Sequence, residues 1–310
     1  MAGIRTAVVM FNLGGPDGPG AIEPFLINLF SDPAIFPLPG PLRRFVARVV
    51  GRRRAKTARA IYDQIGGSSP LLAQTRAQAD ALQQVLGPDY RVIVAMRYWH
   101  PLIEEAAAEV AALAPERVVL LPLYPQYSAT TTGSALRRWF EVAGFERPTD
   151  IVDAYSEDAG WIEGVADTVA EAVAKLENPR VIFSAHGLPK YIVALGDPYP
   201  RQVGKTVKAV VAKLGLTDWA IAYQSRVGPL KWIGPSLDEV LRQAAADKVP
   251  VVVVPVSFVS EHSETLVELD IEYRHRAVAF GVPAYERAAT VGCHPAFIKG
   301  LATLVKWNRA

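Results

Sequence analysis

Val249-Pro-Val-Val-Val-Val-Pro-Val-Ser-Phe258, continued by Val259-Ser-Glu-His-Ser-Glu-Thr-Leu-Val-Glu-Leu-Asp-Ile-Glu-Tyr-Arg-His275, is the stretch whose reading decides the fold. Its first half is an almost unbroken β-branched run, the pattern of a parallel strand buried on both faces. Polarity then changes abruptly. Ser260 is expected to cap a helix, with Glu261 in its first turn. Inside that helix Glu264, Glu268 and Glu272 recur every four residues and form one stripe. His262 and Glu264 stand just past the carboxyl end of the strand, where open α/β sheets place their ligands. An acidic stripe is ordinarily a solvated helix face. Here like charges repel at four-residue spacing, and the stripe starts beside a histidine, so oxygen and imidazole together suit a divalent first-row metal.

Working outward, strands alternate with helices on both sides of this stretch. Strands are expected at Thr6–Leu13, Arg91–Tyr98, Arg117–Tyr124 and Asp150–Ala154, then at Arg180–Ser184, Trp219–Gln224, Val249–Phe258 and Ala284–Val291. Helices lie between them, as in doubly wound α/β folds with parallel sheets. Four strands in each half predict two such domains, residues 1–152 and 153–310, facing a central cleft, with the last helix packing back on the first domain.

Bulk properties narrow the function. The 310 residues suffice for two ordinary cores. A formal charge of +2 gives no global field for nucleic acid. Cys293 is the only thiol, so no internal disulfide and no cysteine-based metal cluster can be completed, and a reducing compartment fits. No apolar run has the length of a membrane span, and the N-terminal residues lack a signal peptide's regions, so a cytoplasmic protein is expected.

Three further stretches carry chemistry. Ser184-Ala-His186-Gly-Leu-Pro189 places a histidine at a strand's carboxyl end, suited to base or ligand work. Leu123-Tyr-Pro-Gln-Tyr127-Ser128 and the hydroxyls through Ser134 open a helix and suit an anionic group. Leu26 to Val50 is apolar and precedes Arg52-Arg53-Arg54. It reads as core with a basic patch, or as a lip that touches a membrane or a flat greasy ligand. Phe11-Asn-Leu13-Gly-Gly-Pro16 lacks the spacing of a dinucleotide loop, and Pro16 removes an N–H a phosphate would need.

In these blocks the chain resembles the ferrochelatases, which place iron in a porphyrin. The resemblance also runs through Leu29-Phe-Ser-Asp-Pro33, Ile65-Gly-Gly-Ser-Ser-Pro-Leu71, Gly196-Asp-Pro-Tyr199, Tyr223-Gln-Ser-Arg-Val-Gly-Pro229, Trp232-Ile-Gly-Pro235 and Phe258 to Glu272. It implies two Rossmann-like, chelatase-type domains and insertion of Fe2+ into protoporphyrin IX with release of two protons. By resemblance His186 and Glu264 handle the metal and the pyrrole protons. Leu13, Arg97, Tyr127 and Phe258 line the macrocycle's pocket, and Arg53, Arg54 and Ser69 meet its propionates. His262, Glu268 and Glu272 form a path for protons or metal, and Ile27 to Leu42 is the hydrophobic lip.

Two departures stand out. Ala129 occupies a cysteine position of cluster-bearing members, so no iron–sulfur (2Fe–2S) cluster and no permanently bound cofactor is expected. Trp99-His100 replaces the small residue many relatives have after Arg-Tyr. A monomer with peripheral membrane contact through the lip is expected. Coproporphyrin III as the substrate, a non-catalytic tetrapyrrole carrier, and a nucleotide- or sugar-binding protein are the competing readings. The apolar lip, the retained His186 and Glu264, and the missing phosphate loop respectively weigh against them.

Overall fold

The computed structural model of the protein describes residues 4–144, 147–226 and 230–307. Val227-Gly228-Pro229, the end of one block quoted above, lies outside them. The chain divides into two compact units, Met1–Ala154 with Leu301–Ala310, and Tyr155–Gly300.

In the first unit β1 (Thr6–Asn12) leads through α1 (Ile22–Phe30), α2 (Gly40–Asp63) and α3 (Leu71–Leu86) to β2 (Tyr90–Met96). Then come α4 (Ile103–Leu113), β3 (Arg117–Pro122), α5 (Thr132–Val142) and β4 (Thr149–Ile151). The sheet is parallel in the order β2-β1-β3-β4. Every residue of β1 is buried, as a central strand with helices on both faces requires. On one face Phe11 meets Trp139 of α5 edge-on, with ring centres 5.9 Å apart, beside Ile93, Ile103, Val110 and Leu120. Burial of each such large side chain contributes about 1.5–3 kcal/mol.

The second unit repeats the plan with α6 (Ala159–Val173), β5 (Arg180–His186), α7 (Lys190–Ala194), α8 (Tyr199–Leu214), β6 (Trp219–Gln224), α9 (Leu237–Asp247) and β7 (Val251–Pro255). A π-helix (Glu264–Tyr273), α10 (Arg274–Phe280), β8 (Tyr285–Arg287) and the first turns of α11 (Pro295–Trp307) complete it. Its sheet is also parallel, in the order β6-β5-β7-β8. The four valines of β7 are all buried, which is why that run reads without alternation. Asp158 caps α6 by accepting from Trp161 N–H, and Ser236 with Glu239 forms a capping box on α9.

The last helix is divided between the units at Leu301. Its first turns place Phe297 against Trp161, and in the first unit Arg117 donates to the Val305 carbonyl at 3.5 Å. No helix among the described residues is long and apolar enough to cross a membrane.

The structure corrects the expected helix after β7. The ten residues Glu264–Tyr273 form a π-helix, not an α-helix, so their N–H groups bond five residues back. Ser260 does not cap it: the residue before the π-helix is Ser263, with no side-chain cap. Glu261 lies outside the first turn and pairs with Arg287 at 3.0 Å.

Candidate active site

In both sheets the strand order reverses at the second strand, β1 or β5, and the residues of interest follow the carboxyl ends of the strands there. In the second unit β5 ends on His186, β6 ends on Gln224, and the segment after β7 leads into Glu264. His186 Nδ1 lies 2.8 Å from Glu264 Oε2, although 78 residues separate them. Ser225 follows Gln224 in the left-handed backbone region, at φ +58°. That turn aims its N–H at Glu268 Oε1 (2.8 Å) and its hydroxyl at Glu268 Oε2 (2.5 Å), with Glu264 Oε2 at 3.4 Å. Gln224 Nε2 donates to the Glu264 carbonyl (3.2 Å) and to Glu268 Oε2 (3.3 Å). Its own Oε1 accepts from Ser184 at 2.8 Å.

The electrostatics follow from these contacts. Burial pushes the His186 imidazole towards neutrality, but the charge and hydrogen bond of Glu264, with Glu268 behind it, win and raise its pKa. Burial would raise Glu264, yet the neighbouring imidazole and the Ser225 hydroxyl hold it below the usual carboxylate range. The two side chains are 39% and 28% exposed, so solvent screens part of this attraction. Glu268 moves the other way: burial and the Glu264 charge raise it against the Ser225 contacts.

His262 is buried with its ring 4.6 Å from that of Phe258, and burial lowers its pKa. Among the described residues its Nδ1 has no hydrogen-bond partner. Glu272 stands apart from the Glu264–Glu268 network and faces Arg276 at 3.8 Å. No group of three or more His, Cys, Asp or Glu among the described residues is arranged to hold a metal ion, so the donors here are the pair and not a cage.

The first unit brings together a different set. Arg97, just past β2, donates through Nη2 to Asp32 Oδ2 (2.8 Å) and through Nε to Ser134 Oγ (2.8 Å). Tyr98 donates its hydroxyl to the same Asp32 oxygen at 2.7 Å, and Ser134 at the start of α5 donates there too. Burial would raise the Asp32 carboxyl, but Ser134, Arg97, the Ala34 N–H and Tyr98 together hold it below its ordinary range. Ser69 is fixed by its N–H to the Pro16 carbonyl at 2.7 Å, and a Cβ on Gly15 would fall 2.6 Å from Ser69 Oγ. Leu13 packs with α1 and Trp99, and the Trp99 indole donates to Asp17 at 2.9 Å. Tyr127 lies half-buried across Gly133, where a Cβ would meet its hydroxyl at 2.9 Å.

Arg53 and Arg54 are exposed on α2, and Arg54 lies 5.8 Å over the Phe30 ring. Phe30 stacks on Phe36 within the lip, while Leu42 and Phe45 beside it are 50% and 64% exposed. Sequence reasoning missed Asp32, Ser134, Ser184, Gln224 and Ser225 as parts of these networks. The available signal was an acid inside an apolar lip and a Gln-Ser pair ending the strand beside β5.

The ferrochelatase family's sequence model matches residues 5–309. The chain belongs to the ferrochelatase family. The ferrochelatase of Caulobacter vibrioides is 48% identical over 97% of this chain and 90% of that protein. The ferrochelatase of Aquifex aeolicus is 44% identical over 98% and 99%. Among solved structures SirB from Bacillus subtilis has a TM-score of 0.61 at 12% identity, covering 97% of this chain and 94% of that one. CbiX, described as the terminal enzyme for biosynthesis of siroheme in denitrifying bacteria, has a TM-score of 0.54 at 15% identity over 99% and 100%. These likenesses establish the chelatase-type fold. This member of the ferrochelatase family is thus a metal chelatase of the lyase class, with a porphyrin and iron as its substrates.

Proposed function

We propose that this chelatase inserts Fe2+ into protoporphyrin IX to give protohaem, with release of two protons. The observation that carries the reading is the 2.8 Å contact between His186 Nδ1 and Glu264 Oε2 at the carboxyl end of β5. An ionised carboxylate only accepts hydrogen bonds, so in the neutral imidazole the hydrogen belongs on Nδ1 and the Nε2 lone pair is available. Inserting a divalent ion into a free-base macrocycle displaces two N–H protons, and charge balances when Fe2+ replaces them. His186 Nε2 accepts a pyrrole proton, and Glu264 and Glu268 stabilise the imidazolium that results. Glu264 offers oxygen to the incoming iron. A nitrogen and a carboxylate without a closed cage suit an ion that must leave in the product. Glu268, whose affinity for a proton is raised, relays protons onward, with His262 continuing the path.

Leu13, Arg97, Tyr127 and Phe258 contact the macrocycle in this reading, and Arg53, Arg54 and Ser69 its propionates. The apolar lip, with its Phe30–Phe36 stack and exposed Leu42 and Phe45, favours a dicarboxylate with apolar edges over a tetracarboxylate. The same lip, beside exposed Arg44 and Arg48, supports peripheral contact with a cytoplasmic membrane face. The enzyme works as a monomer without a resident cofactor or 2Fe–2S cluster.

Anaerobic mixing with Fe2+ and each porphyrin, followed by the absorbance change of metallation, tests this. Protoporphyrin IX is expected to react faster than coproporphyrin III. The reverse order would replace the substrate, and no metallation of either would overturn the reading.

A further inference from the structure

Asp32 is the one acidic side chain in the lip, between Phe30 and Phe36, and it is only 2% exposed. A carboxylate so placed needs a reason, because burying a charge is costly unless it is fully partnered. Its partners come from three separate elements. Oδ1 accepts the Ala34 N–H at 2.8 Å, within the turn of the lip itself. Oδ2 accepts from Tyr98 and Arg97 just past β2, and from Ser134 in the first turn of α5. Arg97 is therefore held by two donors of one edge, Nη2 to Asp32 and Nε to Ser134, and its guanidinium lies 4.9 Å over the Tyr98 ring. The side chain remains 17% exposed, and among the described residues its Nη1 has no hydrogen-bond partner.

We propose that Asp32 is a positioning residue for porphyrin binding: one buried carboxylate fixes the Arg97 guanidinium and folds the lip around the same atom pair. This rests on the reading of Arg97 as a porphyrin contact. Arginine is a long side chain whose ordering costs entropy at the moment of binding. With that edge already satisfied, the cost is met in the free protein, and the Nη1 end is presented in one orientation. The lip shares the anchor through Ala34, and the Ile35 and Phe36 N–H groups bond the Asp32 carbonyl at 3.1 and 2.9 Å. Lip conformation and guanidinium orientation are thereby set together.

A double-mutant cycle on the intact chain tests this, with protoporphyrin IX binding read by fluorescence and KM and kcat measured in parallel. Asp32→Asn keeps the shape and removes the charge. It is expected to weaken porphyrin binding and raise KM by about tenfold, with the change in kcat below about twofold. In an Arg97→Ala background the same substitution should add less than about twofold, because the two residues act as one. Ser134→Ala, which removes the Nε contact and one of the donors to Asp32, should give about a threefold loss that is likewise absent without Arg97. It keeps the test open if Asp32 variants fail to fold. An unchanged KM in Asp32→Asn or Ser134→Ala, or losses that multiply with that of Arg97→Ala, would overturn the proposal. Binding is read without turnover, so failure of the iron-insertion reading would show separately, as absent metallation by the unsubstituted protein.

Discussion

The two units share a sheet plan and differ in how they leave their charges. Past β2 in the first unit, the two oxygens of Asp32 take four donors and see almost no solvent. Past β5 in the second, among the described residues, Glu264 Oε2 has one close partner, His186, and a longer contact to Ser225, while Glu268 beside it has no ion pair with a Lys or Arg. A saturated buried ion network is rigid and keeps its protons. A half-open cluster of an imidazole and two carboxylates with opposed shifts can trade protons. One architecture thus carries a saturated charge network in one copy and a half-open one in the other.

The sharpest way to break this contrast is to remove the reactive imidazole. His186→Ala should lower metallation by roughly a thousandfold, from the loss of general base and ligand together, while porphyrin affinity stays within about threefold. Near-normal turnover would move the chemistry elsewhere. Next in size is the saturated network. Asp32→Ala leaves Arg97 without its anion and should cost about 3 kcal/mol, seen as a lower urea midpoint at unchanged slope. A smaller effect separates geometry from chemistry at Ser225. Ser225→Gly relieves about 1 kcal/mol of left-handed backbone cost, yet it deletes the hydroxyl on Glu268. Thermal stability should hold or rise while turnover falls about fivefold. Equal turnover would show that the N–H alone suffices.

The smallest effect is in pH, and it sharpens the comparison because the units respond at different ends. Asp32 is depressed below 3.8, so its contribution is full above that value and is lost as pH falls through the folded-state pKa. The His186–Glu264 pair needs both charges. Glu264 is depressed from 4.5 and His186 raised from 6.5, so the contribution is full between those values. It fades as pH falls through the folded pKa of Glu264 and as it rises through that of His186. Melting curves against pH should show the advantage over Asp32→Asn constant from pH 5 to 8, and the advantage over His186→Ala shrinking towards pH 8.

Much of the fold was legible because its signals are local. The valine run of β7 and the glycines and prolines between segments gave all eight strands, with ends shifted by a few residues, as at β8, where only Tyr285–Arg287 pairs. The five-residue α7 was not seen, since one turn leaves no periodicity. The π-helix was read as an α-helix because spacing by fours fits either ladder and no residue type announces the longer bond. His186 and Glu264 were readable as two polar residues at neighbouring strand ends, and the resemblance paired them. The Asp32 network was not readable. Its partners lie 66 and 102 residues away, and a lone acid in a proline-rich loop looks like a turn residue.

The division of α11 at Leu301 has a consequence for biosynthesis. Leu301, Ala302 and Val305 are buried and belong with the first unit, although a ribosome adds them only after the whole of the second. The second unit is interrupted nowhere and has all its segments in hand first. The first unit must wait, incompletely closed, until the second has been made and α11 follows it, and during that interval it is the half most in need of shelter from aggregation.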